Sequence, residues 1–315
     1  MLSLDGFAPI PTPLRRAFLA IGNFDGVHAG HRRLVDEIIR RARNSSRRAI
    51  IVTFDPHPAA VLRPELAPTP LLWTERKVEL LRSAGVDEVA IFQTGNWLLD
   101  LSPREFFDRV IVEQFHASGI VEGPDFRFGR GREGTTTRLA TWCGEAGIDF
   151  SVVEPNVIDG VVVSSSAIRA LINEGNVAAA ARLLGRPHRL RGEVVEGAGR
   201  GAGLGFPTAN LAKIEVLIPS NGVYAGTAFV NEGADRRSRP AAIHIGPNAT
   251  FGESIRSVEA HILNFQGNLR GQTIELDLIE RIRSSRKFDS TTDLLDQIAR
   301  DVAATRAIAG DILPK

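Results

Sequence analysis

The apolar residues of this chain keep two different rhythms, and the switch between them near Arg186 constrains the fold more than any other feature. Before it, short apolar runs alternate with helical patterns. Residues 17–21, 49–54, 88–92 and 119–121 read as strands, and 32–43, 77–84 and 103–115 as helices. In the first of these helices Leu34, Val35, Ile38 and Ile39 turn inward. Strands alternating with helices imply right-handed βαβ units on a parallel sheet, which binds ligands at the carboxyl ends of its strands. A helical pair closes this half. The serines at 164–166 can cap a helix running through Asn173, and residues 177–184 form a second, ended by Gly185 and Pro187.

After the switch, runs at 191–195, 222–230, 241–245, 256–265 and 273–282 are strand-like and separated by turn residues. Their spacing suits an antiparallel barrel or sandwich. Residues 291–308 repeat apolar side chains every 3.6 residues through Leu294, Leu295, Ile298, Val302 and Ile308, which predicts a terminal helix packed on the strands. A chain of 315 residues is long enough for two domains, expected as 1–186 and 187–315.

Composition excludes more than it selects. The formal net charge is +1, so nothing global recommends a nucleic acid or an acidic membrane as partner. Cys143 is the only cysteine, which excludes a disulfide framework and a cysteine-based metal site. No run approaches a membrane span, and the start lacks a basic-then-apolar leader, so a cytoplasmic location is expected.

The first chemical constellation is Gly22-Asn23-Phe24-Asp25-Gly26-Val27-His28-Ala29-Gly30-His31, between the first strand and the first helix. A glycine-rich turn there lets backbone approach a phosphate, and the helix start offers N–H groups and a positive dipole. His28 and His31, three apart, lie on neighbouring surface positions and could both donate to phosphoryl oxygens. Half of a zinc site is the alternative for such a pair, but beyond His57 no further ligand is evident. Gly129 to Gly134 also spells G-x-G-x-x-G, but opens no clear βαβ unit and reads as a loop coincidence.

This decapeptide resembles the HxGH signature of the nucleotidyltransferase superfamily, in the extended form found in bacterial bifunctional riboflavin kinase/FAD synthetases. Three further blocks agree in order: Val52-Thr53-Phe54-Asp55-Pro56-His57-Pro58, Asp125-Phe126-Arg127-Phe128-Gly129 and Ser164-Ser165-Ser166-Ala167-Ile168-Arg169. The resemblance implies a Rossmann-like nucleotidyltransferase domain in which His28 and His31 stabilise the transition state at the α-phosphate. It further implies that Gly22, Asn23, Phe24, Asp25 and Gly30 shape the nucleotide pocket, and that Ser164, Ser165 and Arg169 bind ATP phosphates. Phe54, Asp125, Phe126 and Phe128 would lie near FMN, although the phenylalanines could equally be core aromatics.

The second constellation runs from Gly197 to Asn210, with glycines at alternate positions and then Phe206-Pro207-Thr208-Ala209-Asn210. Such a run suits a loop that approaches a ligand closely. Thr208 and Asn210 supply neutral oxygens of the kind Mg²⁺ prefers. No Walker sequence is present, so a kinase here is not of the P-loop kind. Alternation over 256–265 is expected to put Glu259, His261 and Leu263 on one face, and a carboxylate there could accept the proton of an attacking hydroxyl. The glycine loop, Pro-Thr-Ala-Asn, Gly222-Val223-Tyr224-Ala225 and Val258-Glu259 also resemble riboflavin kinase modules. That resemblance implies a β-barrel, Glu259 as catalytic base, and Gly203, Thr208 and Asn210 on Mg-ATP.

Four positions depart from the family pattern: Ala202 replaces an arginine, His244 an asparagine, Arg270 a tyrosine and Ser285 a glutamate, with Ala249-Thr250-Phe251 replacing Pro-Thr-Phe. The implied function is ATP-dependent phosphorylation of riboflavin to FMN, then adenylyl transfer giving FAD and pyrophosphate. The implied cofactor is Mg²⁺, and the ligands are ATP, riboflavin, FMN and FAD. A monofunctional FMN adenylyltransferase with a degenerate kinase module, or a flavin-binding regulatory protein, are the alternatives.

Overall fold

The computed structural model describes residues 1–197, 199–232, 235–247 and 255–310. By contacts the chain forms two units, Met1–Pro68 with Leu72–Ser164, and Thr69–Leu71 with Ser165–Lys315.

The first unit is a six-stranded parallel sheet. Its strands are β1 (Leu2–Leu4), β2 (Phe18–Ile21), β3 (Ala49–Asp55), β4 (Glu88–Gln93), β5 (Gly119–Glu122) and β6 (Asp149–Val152), in the spatial order β1-β4-β3-β2-β5-β6. From the β2–β5 pair the order runs outward through β3 and β4 on one side and to β6 on the other, with β1 added beyond β4, so the topological switch point lies at the carboxyl end of β2. Both faces are buried. Leu19, Ile21, Ile50, Val52 and Phe92 join one apolar cluster, while Phe18, Ala20, Ile51, Val89 and Ile91 join the other. That alternation explains why these strands read as unbroken apolar runs. Helix α1 (Ala29–Asn44) sits on the second face through Val35, Ile38 and Ala42.

Several elements differ from the sequence expectation. The helix expected over 103–115 is one α-helical turn, Pro103–Phe106, followed by a π-helical stretch, Phe107–Gln114. Ser102 and Glu105 form a reciprocal capping box at its start. The wider stretch turns Phe107, Val110, Ile111 and Gln114 inward together. The strands β1 and β6 and the helix Thr136–Ala146 were not expected. The G-x-G-x-x-G match lies in a hairpin between Arg127–Phe128 and Gly134–Thr135, as the loop reading required. A side chain at Gly134 would strike the ring and carbonyl of Phe128 at 2.7 Å.

The second unit is a closed antiparallel barrel of β7 (His188–Val195), β8 (Ala209–Ala212), β9 (Gly222–Glu232), β10 (Asp235–Gly246), β11 (Ser257–Ile262) and β12 (Thr273–Arg283), ordered β7-β8-β11-β10-β9-β12. Strand β8 was hidden in the sequence because Pro-Thr-Ala-Asn looks like a turn. Helices α2 (Ser165–Asn173) and α3 (Val177–Leu184) belong to this unit by contact. Gly175 joins them with φ +80°, and a Cβ there would fall 2.4 Å from Ser220 Oγ and 2.8 Å from Tyr224 Oη. Glycine is therefore required twice over, by conformation and by space.

The terminal helix α4 (Thr291–Gly310) does form, but its expected apolar stripe is only half-buried. Its most buried residues are Asp301, Thr305 and Ala309. Asp301 receives a bidentate grip from Arg283, with Nε at 3.0 Å and Nη2 at 2.7 Å, and Gln297 donates to it at 2.8 Å. A polar anchor, not the leucine stripe, holds the deepest part of that helix. The Ala249-Thr250-Phe251 departure lies outside the described residues.

Candidate functional site

The first site grows from the carboxyl end of β2. Ile21 closes the strand, Gly22 N–H donates to Val52 O at 3.0 Å, and the chain turns through Asn23 to His28 before α1 begins. Phe24 (φ 46°), Gly26 (φ 88°) and Val27 (φ 39°) are all left-handed. A β-branched residue there is strained, and such strain persists where surrounding structure enforces a functional shape. Here Thr53 Oγ1 donates to Asn23 O at 3.1 Å, Val27 N–H donates to Phe24 O at 3.1 Å, and Phe24, Asp25 and Val27 are buried.

His28 is the N-cap of α1. Its Nδ1 accepts the His31 N–H at 3.2 Å, so the proton of the neutral ring sits on Nε2. The two imidazoles stack with centroids 3.6 Å apart and planes 13° from parallel. Gly30 leaves room for this: a Cβ there would come within 3.2 Å of the His28 ring and 3.3 Å of Val163 O. His57 is tied to the same loop by a 2.8 Å hydrogen bond between its Nε2 and the side-chain amide of Asn23. Because His57 Nδ1 accepts from Ala59 N–H, its Nε2 must be the protonated nitrogen. Asn23 therefore presents its amide oxygen to that ring. Occupied in this way, His57 is a brace for Asn23, and no cluster of three metal-binding side chains occurs among the described residues.

Two charged residues that the sequence did not single out stand beside this loop. Glu122, at the end of β5, is 2% exposed and accepts the Ile21 N–H at 2.7 Å. Burial pushes its carboxyl well above the usual carboxylate range, against a smaller opposing pull from that hydrogen bond. Lys77 is also buried, 3.5 Å from Thr53 Oγ1. Burial lowers its pKa, while the charges of Asp25 and Asp55 act the other way. Both sit in segments that read as ordinary strand or helix, and only the strand order brings them to the loop.

The expected flavin residues separate. Phe54 is half-buried, 6.2 Å from Phe92, at the carboxyl end of β3. Phe126 is half-buried and stacks on Phe128 at 5.5 Å, and Asp125 is exposed. Phe128 is a core residue, 5% exposed and packed on Phe106 and Trp142. Ser164 ends the first unit, while Ser165 and Arg169 lie in α2, where Arg169 Nε donates to Thr69 O at 2.9 Å.

The second site is a row across three barrel strands. Asn210 on β8 pairs with Glu259 on β11, which pairs with His244 on β10. Directly opposed residues present their side chains on one face. Glu259 accepts from Ser257 Oγ at 2.9 Å and faces Thr208 Oγ1 at 3.5 Å. His261 shares that face, and its Nδ1 donates to Pro207 O at 2.8 Å. Leu263 does not. The strand ends at Ile262, Asn264 turns left-handed at φ 56°, and Leu263 is buried.

Beside the row is a cleft of about 340 Å³, whose lining includes Gly197, Gly201, Thr208, Asn210 and Arg270. A Cβ on Gly197 would overlap the Asn210 amide at 2.1 Å, so the glycine keeps that side chain accessible. The hydroxyl of Thr208 and the amide oxygen of Asn210 stand beside the Glu259 carboxylate, neutral oxygen ligands that fit a hard cation sharing its remaining positions with phosphate and water. Gly203 is exposed in the short helix Arg200–Gly203 of the loop. Of the departures, Arg270 lines the cleft and pairs with Glu196 at 2.8 Å, while His244 and Ser285 meet at 3.4 Å. Burial lowers the His244 pKa. The Ala202 side chain lies outside the described part.

The FAD synthetase family matches residues 10–167, and the riboflavin kinase family matches residues 184–309. The bifunctional riboflavin kinase/FMN adenylyltransferase of Escherichia coli (strain K12) is 33% identical over 298 residues, covering 95% of this chain and 94% of that protein. Its counterpart from Listeria monocytogenes is 34% identical over 295 residues, covering 92% and 91%. A Streptococcus pneumoniae crystal structure described as a macrolide-efflux protein superposes with a TM-score of 0.85 at 30% identity, covering 97% of this chain and 98% of that one. Among the described residues, no helix is long and apolar enough to cross a membrane.

Proposed function

The chain belongs to the bifunctional riboflavin kinase/FMN adenylyltransferase family, and from its geometry we propose which residues carry each of the two reactions. The enzyme phosphorylates riboflavin to FMN with ATP, and transfers an adenylyl group from ATP to FMN, giving FAD and pyrophosphate. We assign the adenylyl transfer to the loop of the first unit. There the FMN phosphate attacks the α-phosphate and His28 donates from Nε2 to the developing negative charge, with His31 stacked beside it. Preorganised donors of this kind need no covalent intermediate. Gly22, Asn23, Phe24, Asp25 and Gly30 shape the nucleotide pocket. Phe54 and Phe126 are the proposed flavin contacts, with Asp125 near them and Phe128 supporting Phe126 from the core. Ser164, Ser165 and Arg169 are assigned to ATP phosphates on the family resemblance.

Riboflavin phosphorylation is assigned to the barrel. Glu259 accepts the proton of the riboflavin hydroxyl as that oxygen attacks the γ-phosphate. Thr208 and Asn210 would hold Mg²⁺ and the nucleotide, with Gly203 in the covering loop. Magnesium, when bound with ATP, supplies charge neutralisation on the transferring phosphoryl group. We place the functional division at 186/187, after the left-handed Gly185 that ends α3. A cytoplasmic location fits the buried free thiol of Cys143, which burial pushes up to about 12.

The observation that carries this division is that the stacked His28–His31 pair lies in the first unit and the Thr208–Asn210–Glu259 group in the second. The test is a time course with riboflavin and Mg-ATP, with the flavins separated by chromatography. FMN should appear first and FAD after it, and supplied FMN should pass to FAD alone. Riboflavin left untouched while FMN is consumed would overturn the barrel assignment.

A further inference from the structure

The crevice at the switch point is opened by a side chain. Strand β2 stays in register with β3 to its last residue, Ile21 opposite Val52. Strand β5 likewise stays in register with β6 to its last, Glu122 opposite Val152. Between β2 and β5 the ladder stops earlier, at Leu19 opposite Ile120. Beyond it the Ile21 N–H is taken by Glu122 Oε1 at 2.7 Å, a side chain doing what a backbone carbonyl does elsewhere in the sheet. Neighbouring strands lie about 4.8 Å apart where backbone pairs with backbone, and a side chain set between them holds them wider. The sheet is whole on both flanks and parted where the phosphate loop leaves it.

Sheet stability does not call for this carboxyl. Glu122 is 2% exposed, and among the described residues the Ile21 amide is its one hydrogen-bond partner and no cation neutralises it. Burying such a group is costly, and a backbone carbonyl would satisfy the same N–H without that cost. The bond falls one residue before the loop begins. Gly22 N–H is held by Val52 O at 3.0 Å, and Asn23 O by Thr53 Oγ1 at 3.1 Å, both from β3. Glu122 supplies the hold from the β5 side, so three consecutive residues leave the sheet on a fixed course towards His28.

We propose that Glu122 is a positioning residue for adenylyl transfer, its carboxyl parting β2 from β5 and fixing the Ile21 peptide from which the phosphate loop departs. This rests on the assignment of adenylyl transfer to that loop. Burial holds the carboxyl towards its neutral form, so it accepts the bond without setting a full negative charge beside a triphosphate. Its effect is on geometry, and a displacement of about 1 Å in a catalytic group costs on the order of 10²-fold in rate.

The test is kcat and KM for FAD formation from supplied FMN and Mg-ATP, in the full chain, for wild type, Glu122→Gln, Glu122→Met and Glu122→Asp. Glutamine presents an oxygen at the same place and mimics the neutral acid. Methionine fills the space without an acceptor, and aspartate keeps the carboxyl one methylene short. The methionine and aspartate variants should lose about 10- to 100-fold in kcat with KM for FMN and ATP little changed, and glutamine should restore most of the rate. FMN formation from riboflavin in the same preparations should match wild type. Tryptophan fluorescence reads the fold of the first unit, which holds all three tryptophans, and aspartate carries the test should the methionine variant fold poorly. A folded methionine or aspartate variant with wild-type kcat would overturn the proposal. So would a glutamine variant as slow as methionine, since the acceptor would then not be what matters. A His31→Ala variant that keeps its rate of FAD formation would remove the loop from the reaction, and the positioning role with it.

Discussion

The parallel-sheet unit buries a carboxyl and the barrel an imidazole, and the pKa values of the two move in opposite directions. Beside the phosphate loop of the first, Glu122 is sealed at the end of β5 and held towards its neutral, protonated form. At the start of the second, His188 is 2% exposed, its Nε2 donates to Leu217 O at 2.7 Å, and burial lowers its pKa to about 4. Burial of Glu122 is therefore penalised as pH rises and burial of His188 as pH falls. A chain with a formal net charge of +1 looks electrostatically featureless from its composition, yet these two buried groups respond to protons with opposite sign. The optical probes divide the same way. Trp73, Trp97 and Trp142 all lie in the first unit, and Tyr224, the only tyrosine, lies in the second.

The sharpest way to break the comparison is through the chemistry. Glu259→Gln keeps the shape of the side chain but cannot accept a proton, and should slow FMN formation by about 10²- to 10⁴-fold. FAD formation from supplied FMN should continue, as followed by chromatography of both products. The reciprocal change, His31→Ala, should slow FAD formation by on the order of 10²- to 10³-fold and leave riboflavin phosphorylation nearly intact. Equal losses in both reactions, from either variant, would show that the two residue sets do not act independently.

Stability tests the same contrast at smaller amplitude. His188 has a depressed folded pKa, so its contribution is fully present above the unfolded value near 6.5 and is lost as pH falls towards about 4. Over that window the barrel should lose roughly 3 kcal/mol, and His188→Gln, which cannot protonate, should remove most of that slope. NMR of Tyr224 through thermal or denaturant melts reads the barrel alone. Glu122 has a raised folded pKa, so its contribution is present below the unfolded value and is lost as pH rises towards the folded one. Glu122→Gln can still accept the Ile21 N–H. It should gain on wild type by about 1.4 kcal/mol per pH unit through that window, read from tryptophan fluorescence. Slopes of the same sign assigned to Glu122 and His188, each taken as wild type minus its glutamine variant, would end the contrast.

Much of this was legible in the sequence, for reasons that also explain the gaps. The strands β2, β3 and β4 are buried on both faces, so each leaves an uninterrupted apolar run that needs no partner to be seen. Strands β1 and β6 lie at the sheet edges, one of three residues and one half-exposed, and helix Thr136–Ala146 buries only Leu139 and Cys143. Nothing in their composition separates them from loop. His28 and His31 were visible because their spacing and the glycines around them are local properties. Glu122, Lys77 and the His244–Ser285 contact were not, since each depends on which strands become neighbours. Leu263 was misplaced because alternation was extended past the turn at Asn264, and the anchor of α4 was missed because a buried aspartate looks like a surface residue until Arg283 is beside it.

The closure of the barrel also sets an order of events in time. The rung that seals it joins the first strand synthesised to the last, with His188 opposite Leu278 and Glu193 opposite Thr273. None of these rungs can form until β12 has been made, and contacts between positions so far apart in the chain are slow to form. The sheet of the first unit has all its strands by Val152. On a ribosome it can assemble while β7 and β8 still wait for their partners, so the adenylyl-transfer loop should be shaped before the kinase row exists.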